Sequence, residues 1–287
     1  MKKYLYIGII LRIFHIVWAG ESISGNDVDY LEVCQEAVSE QWYFENFRSL
    51  HDYTQVIEID CGSAFADFLK KNASKQVLKK LSEFEKLDQI GNPLTRQYYQ
   101  GLGNFSGATL RYIVIADQIK ELFFLPENAK IVEIGAGFGG QCYILSHLQP
   151  FIDYYIIDLP EVEPLIKKVI TTLQVKNVTY SSEEQKTLED DIDLVMSNYA
   201  FSECDRQTQE DYFEKVIKKS KRGYIIYNQI AYRVFGLDSL SPVEFIAMLQ
   251  KNDMNPKVYS EQVATAKDNL LIVWDKTLNS QELPYQK

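Results

Sequence analysis

The second half of the chain alternates short apolar runs with stretches whose apolar residues recur at helical spacing. Ile131, Val132 and Ile134 form the first run, followed by residues 151–157, 178–180, 191–198 and 223–229. Each is short enough, and rich enough in branched and aromatic residues, to be a buried strand. Between them lie helical patterns over residues 142–148 and 161–173, and one beginning near Thr208. Ser241-Pro242 opens another, with proline in the first turn where its missing N–H costs nothing. Residues 258–263 and 270–274 read as two closing strands joined by a polar turn. Strand and helix in strict alternation predict a doubly wound α/β sheet of Rossmann-like type with seven strands.

The first half has a different period. Asn26 or Asp27 caps a helix carrying Val28, Leu31, Val33 and Val38, and Trp42, Tyr43, Phe44 and Phe47 add aromatic bulk. Residues 67–87 read as one helical stretch, with Phe68, Leu69, Val77, Leu78, Leu81 and Phe84 on a stripe and the lysines at 70, 71, 79 and 80 on a solvated face. Gly91-Asn-Pro93 breaks the pattern, and the glycines at 101, 103 and 107 loosen the chain before a helix over residues 108–124. The expected organisation is therefore a mainly helical extension and substrate lid over residues 1–125 and a nucleotide-binding domain over residues 126–287. Residues 92–107 are expected to lie over the ligand.

Chemistry concentrates where the first strand ends, at Lys130-Ile-Val-Glu-Ile-Gly-Ala-Gly-Phe-Gly-Gly-Gln141. Gly135 and Gly137 reach backbone angles closed to other residues and let the main chain approach a ligand, while the following helix presents unpaired N–H groups. Gly135, Gly137 and Gly140 also satisfy the dinucleotide fingerprint, so a pyrophosphate ligand is an alternative. Glu133, two residues before the first glycine, favours a cationic or hydroxyl-bearing ligand instead. Val-Glu-Ile-Gly-Ala-Gly resembles the first motif of class I S-adenosylmethionine-dependent methyltransferases. Asp158 follows the second strand, where a carboxylate can accept both hydroxyls of a ribose.

The resemblance covers residues 125–276. Its most specific parts are the glycine motif, Asp158-Leu-Pro160 and the stretch Ser197-Asn-Tyr-Ala-Phe-Ser-Glu203. Together these resemble the sugar O-methyltransferases of bacterial surface-polysaccharide clusters. What the resemblance implies is a methyltransferase sheet, S-adenosylmethionine as cofactor, and a cofactor site built from Glu133, Gly135, Ala136, Gly137, Gln141, Asp158, Leu159, Ser181, Ser197 and Asn198. It also implies a small-molecule or glycan substrate, with cell-surface polysaccharide synthesis as the setting. Ser181 and Ser182 stand where the family contacts adenine, without the acidic residue often found there.

A hydroxyl attacks a methyl sulfonium more readily as it loses its proton, and residues after the fourth strand point at that methyl. Glu203 is the first choice as base and Asp205 the second; Glu203 could instead cap the helix near Thr208. Plant relatives use a histidine after this strand, and none occurs here. Tyr99, Arg111, Tyr199 and Asn228 are candidate substrate contacts. The Pro-Pro of base-methylating DNA enzymes is missing after Asn198. Methylation of another small molecule, or non-catalytic or NAD-type nucleotide binding, are the alternatives.

Charge narrows the partners. Forty acidic against 30 basic residues give a net charge of −10, and no basic stripe stands out, which argues against nucleic acid. Cys34, Cys61, Cys142 and Cys204 lack zinc spacing and read as reduced thiols. No convincing set of ligands supports a divalent metal. Lys2 and Lys3 before the apolar residues 4–18 have the outline of a secretory signal, but Arg12 and His15 interrupt it. A buried or amphipathic N-terminal element in a cytoplasmic protein is preferred, with a membrane-surface anchor or a cleaved signal as alternatives. The oligomeric state is left open to a homodimer.

Overall fold

The apolar run that ends in glycines forms β1 (Ala129–Ile134), and it lies inside a seven-stranded sheet. The computed structural model describes residues 22–58, 61–182 and 191–277, so the reading of residues 1–20 falls outside it. The other strands are β2 (Phe151–Ile157), β3 (Val178–Tyr180), β4 (Leu194–Asn198), β5 (Arg222–Tyr227), β6 (Lys257–Ser260) and β7 (Leu270–Asp275). Their order is β3-β2-β1-β4-β5-β7-β6. The first five run parallel, and β7 is antiparallel to both β5 and β6. Chain order therefore reverses between β1 and β4, and a crevice opens beyond their carboxyl ends. The sheet is the α/β architecture expected from the alternation.

Alternate side chains on the strands feed two cores. One face buries Val132, Ile134, Val195, Ile225, Ile272 and Trp274 against the helices Arg206–Lys215 and Pro242–Lys251. The other buries Ile131, Tyr154, Met196, Tyr224 and Val273 in a cluster that continues into the N-terminal helices. The helix Gly107–Leu122 runs through that second core and is buried along nearly its whole length. Three of its polar residues are spent on tertiary bonds, as burial demands. Thr109 donates to Asp88, Asp117 accepts from the Ser74 N–H, and Gln118 accepts from the Tyr224 hydroxyl and donates to Gln262.

Two expectations are corrected here. The single helix over residues 67–87 is broken into Gly62–Asn72, Lys75–Leu78 and Leu81–Phe84. Ser74 starts a new turn by accepting from the Val77 N–H while Asp117 holds its own N–H at 2.8 Å, a contact from a distant helix that local periodicity does not contain. Nor do residues 92–107 cover the ligand crevice. Arg48, with its side chain fully buried, bonds Glu58, Asp88, the Leu87 carbonyl and Ser106, and Asp88 also takes the Ser106 N–H. With Arg96 and Phe105 paired and Leu102 and Phe105 buried, the loop is tied down elsewhere.

Candidate active site

A cavity of about 500 Å³ opens at the carboxyl ends of the parallel strands, as the reversal of strand order requires. The glycine turn forms one wall. Gly135 has φ +75°, and a Cβ there would sit 2.0 Å from that of Ala200, so only glycine allows the two strand exits to close up. Asp158 projects into the turn from the end of β2. Its Oδ2 accepts from the N–H groups of Ala136 (2.7 Å) and Gly137 (3.0 Å), and its Oδ1 from Leu159 (2.7 Å). Burial pushes Asp158 up to about 6 against the pull of those three bonds.

Glu133 lines the same wall at 1% exposure and accepts from the Tyr154 hydroxyl at 2.7 Å. Burial dominates and pushes it up to about 8. Because this lies above the ordinary value of 4.5, the protonated acid favours the unliganded fold below that value, and this stability is lost as pH rises to about 8. A cation reverses the preference. A cationic ligand seated against Glu133 should release about one proton near pH 7 and bind more tightly, by up to about tenfold per pH unit, as pH climbs toward 8. Calorimetry in buffers of different ionisation enthalpy checks this, and an affinity indifferent to pH with no proton release would refute it.

The exits of β4 and β5 form the opposite wall. Asn198 donates to Gln141 at 3.3 Å, while its buried Oδ1 has no partner among the described residues. Tyr199 follows with φ +75°, a rare conformation for a bulky residue and one that clusters at functional sites. Its hydroxyl donates to Glu261 and accepts from Thr265. Glu203 turns its remaining exposed surface to the cavity. Asn228 donates to its Oε1 at 2.5 Å, and burial raises the carboxyl while Asn228 and Arg111 oppose the rise. Arg111 reaches the cavity from the long buried helix, with its guanidinium 5.2 Å from the Tyr112 ring and 5.6 Å from the Tyr199 ring.

Of the residues named from sequence, Glu133, Gly135, Ala136, Gly137, Asp158, Asn198, Tyr199, Glu203, Asn228 and Arg111 are brought to this one cavity. The others stand off it. Asp205 is the cap of the helix Arg206–Lys215, accepting from the Thr208 N–H at 2.7 Å, which is the role weighed above for Glu203. Ser181 is bound to the Glu163 carboxylate through both N–H and hydroxyl. Ser197 clasps β1 to the β4 exit, donating to the Ile134 carbonyl and accepting from the Phe201 N–H. Gln141 is buried and donates to the Tyr112 carbonyl, Leu159 lies against Gly25, and Tyr99 packs under the Lys70 ammonium.

Other lining residues carried no local signal. Ser24 arrives because the N-terminal segment runs alongside residue 204, with the Ile23 N–H donating to the Glu203 carbonyl. Gln55, Val56 and Ile57 line the cavity where no residue of 92–107 does, and residues 265–269 complete the lining. Among the described residues no group of three or more histidines, cysteines or carboxylates is placed to hold a metal, and no helix is long and apolar enough to cross a membrane.

No family model matches the chain, and no curated protein matches it in sequence. Among solved structures it is similar to the pyocyanin biosynthetic protein PhzM, at 10% identity and a TM-score of 0.45 over 59% of this chain and 56% of that one. It is also similar to a geranyl diphosphate methyltransferase solved with GPP and sinefungin, at 11% identity and 0.43 over 59% and 83% of the two chains. M. jannaschii TYW2, solved in complex with AdoMet, aligns at 20% identity and 0.37 over 56% and 73%. The aligned part thus spans little more than half of the PhzM chain. At TM-scores below 0.5 these likenesses bear no functional weight, which falls on the site's own geometry.

Proposed function

We propose that the chain is an S-adenosylmethionine-dependent O-methyltransferase whose acceptor is a sugar hydroxyl, serving synthesis of a surface polysaccharide or related glycan. The observation that carries the cofactor reading is the carboxylate seated in the glycine turn. Asp158 occupies the N–H groups that would otherwise receive a pyrophosphate, and Glu133 lies behind it. A dinucleotide's phosphates would meet two carboxylates there, whereas a ribose diol and an ammonium group find acceptors. The unpartnered Oδ1 of Asn198 adds a third acceptor on the facing wall, so the residues present fit the cofactor.

Bound S-adenosylmethionine supplies an electrophilic methyl group; the chain's own residues bind, orient and deprotonate. Asp158 would hold the ribose, and Glu133 with Asn198 the cationic end. Glu203, oriented by Asn228, would take the acceptor hydroxyl's proton. Burial raises its basicity above that of a solvated carboxylate, which suits the task. The sugar assignment is supported by the resemblance of the glycine motif, Asp158-Leu-Pro160 and Ser197–Glu203 to the sugar O-methyltransferases. Calorimetry with S-adenosylhomocysteine and with NAD tests the cofactor: the first is expected to bind and the second not, and the reverse result overturns the reading. Methyl transfer to nucleotide sugars in preference to phenolic acceptors tests the substrate.

A further inference from the structure

Arg111 is 6% exposed, yet the Nε of its guanidinium has no hydrogen-bond partner among the described residues. Nη2 donates to the Ile57 carbonyl at 3.3 Å, and the guanidinium also meets the Tyr112 side chain. Of the carboxylates that feel its charge, Glu58 is already bonded to Arg48 and Glu203 accepts from Asn228. A buried guanidinium N–H left without an acceptor is costly, and such a fork is built for carboxylate or phosphate oxygens. Its place in the cavity decides which ligand it serves. The Arg111 charge acts on Glu203 and Tyr199, on the wall where the acceptor hydroxyl would lie. The charges that act on Glu133 and Asp158, on the glycine-turn wall, are carboxylates. Lys267 and Arg233, the latter paired with Asp268 at 3.0 Å, stand on the rim of the same cavity. The cavity's cationic groups, Arg111, Lys267 and Arg233, thus stand on the acceptor side together with Glu203 and Asp268, and the glycine-turn wall carries Glu133 and Asp158.

We infer that the acceptor carries an anionic oxygen group, a carboxylate or a phosphate, and that Arg111 receives it beside Glu203. This rests on the methyltransferase reading for what else the cavity holds. An anchored anion would fix which hydroxyl meets Glu203, so Arg111 would set regiochemistry as well as affinity.

The test is calorimetry of the full chain with glucose, glucuronate and glucose 6-phosphate, each with and without saturating S-adenosylhomocysteine. At least one anion is expected to bind about tenfold or more tighter than glucose, and which of the two does so tells carboxylate from phosphate. Arg111→Gln should remove that preference while the Kd for S-adenosylhomocysteine stays within about twofold, and Arg111→Lys, which keeps the charge and loses the fork, should retain part of it. Equal binding of glucose, binding of neither anion, or an unchanged preference in Arg111→Gln overturns the inference. So does a loss of S-adenosylhomocysteine affinity of about tenfold in the variants, which would make Arg111 a cofactor ligand. A wild-type chain that binds an anion through Arg111 but not S-adenosylhomocysteine would instead sink the methyltransferase reading and leave the anion site standing.

Discussion

Replacing Asp158 with alanine is expected to weaken S-adenosylhomocysteine binding by about 100-fold, the effect of losing charge-assisted bonds worth roughly 1.5–3 kcal/mol. The carboxylate does two things at once in the structure. It holds the turn by accepting from Ala136, Gly137 and Leu159, and it faces the cavity as an acceptor. Asp158→Asn separates these roles in part, because its single amide oxygen can still receive the Ala136 and Gly137 N–H groups but lacks the charge, while its NH2 cannot accept from Leu159. The asparagine variant should therefore melt between wild type and the alanine variant and still lose most of the affinity, while the alanine variant loses both. Calorimetry and thermal unfolding read the two quantities independently, and an alanine variant with wild-type affinity removes Asp158 from the site.

The second large effect is expected at Glu203. Changing it to glutamine should lower kcat by about 100-fold or more, the usual contribution of a general base, and leave cofactor affinity intact. The pH profile carries a sign. Burial raises the carboxyl above its ordinary value, so its proton is held to higher pH in the folded enzyme than in a free carboxylate. Wild-type kcat/KM should rise with pH as Glu203 ionises and then level, and the glutamine variant should lack that limb. Full activity in the variant would return Glu203 to a purely structural part, joined to Asn228.

The strand tips were legible because they obey a general rule: in a parallel sheet, whatever follows the carboxyl end of a strand near the switch point faces the ligand. Glu133, Asp158, Asn198 and Glu203 are all such residues, and reading the strands was enough to list them. Asp205 shows where that rule fails. Two acids after one strand look alike in sequence, yet an aspartate three residues before a backbone N–H at a helix start is an N-cap by geometry. Ser197 and Gln141, which the resemblance implied as cofactor contacts, turn inward, because a hydroxyl or amide beside a tight turn can serve the backbone as well as a ligand. Residues 55–57 and 265–269 were invisible: they enter from elements whose position depends on Arg48, Tyr199 and Glu261, long-range contacts with no period to read. The mainly helical character of the first half was readable, but its break at Ser74 was imposed by Asp117 from another helix.

The buried course of Gly107–Leu122 divides the cavity's walls by how freely they can drift over evolution. Arg111 is cast in with residues that pack on every side, and the glycine turn is locked by Ala200, so the floor changes only at the expense of folding itself. The turn at residues 264–268 is largely exposed, and descendants of this chain seeking new acceptors would find their latitude there.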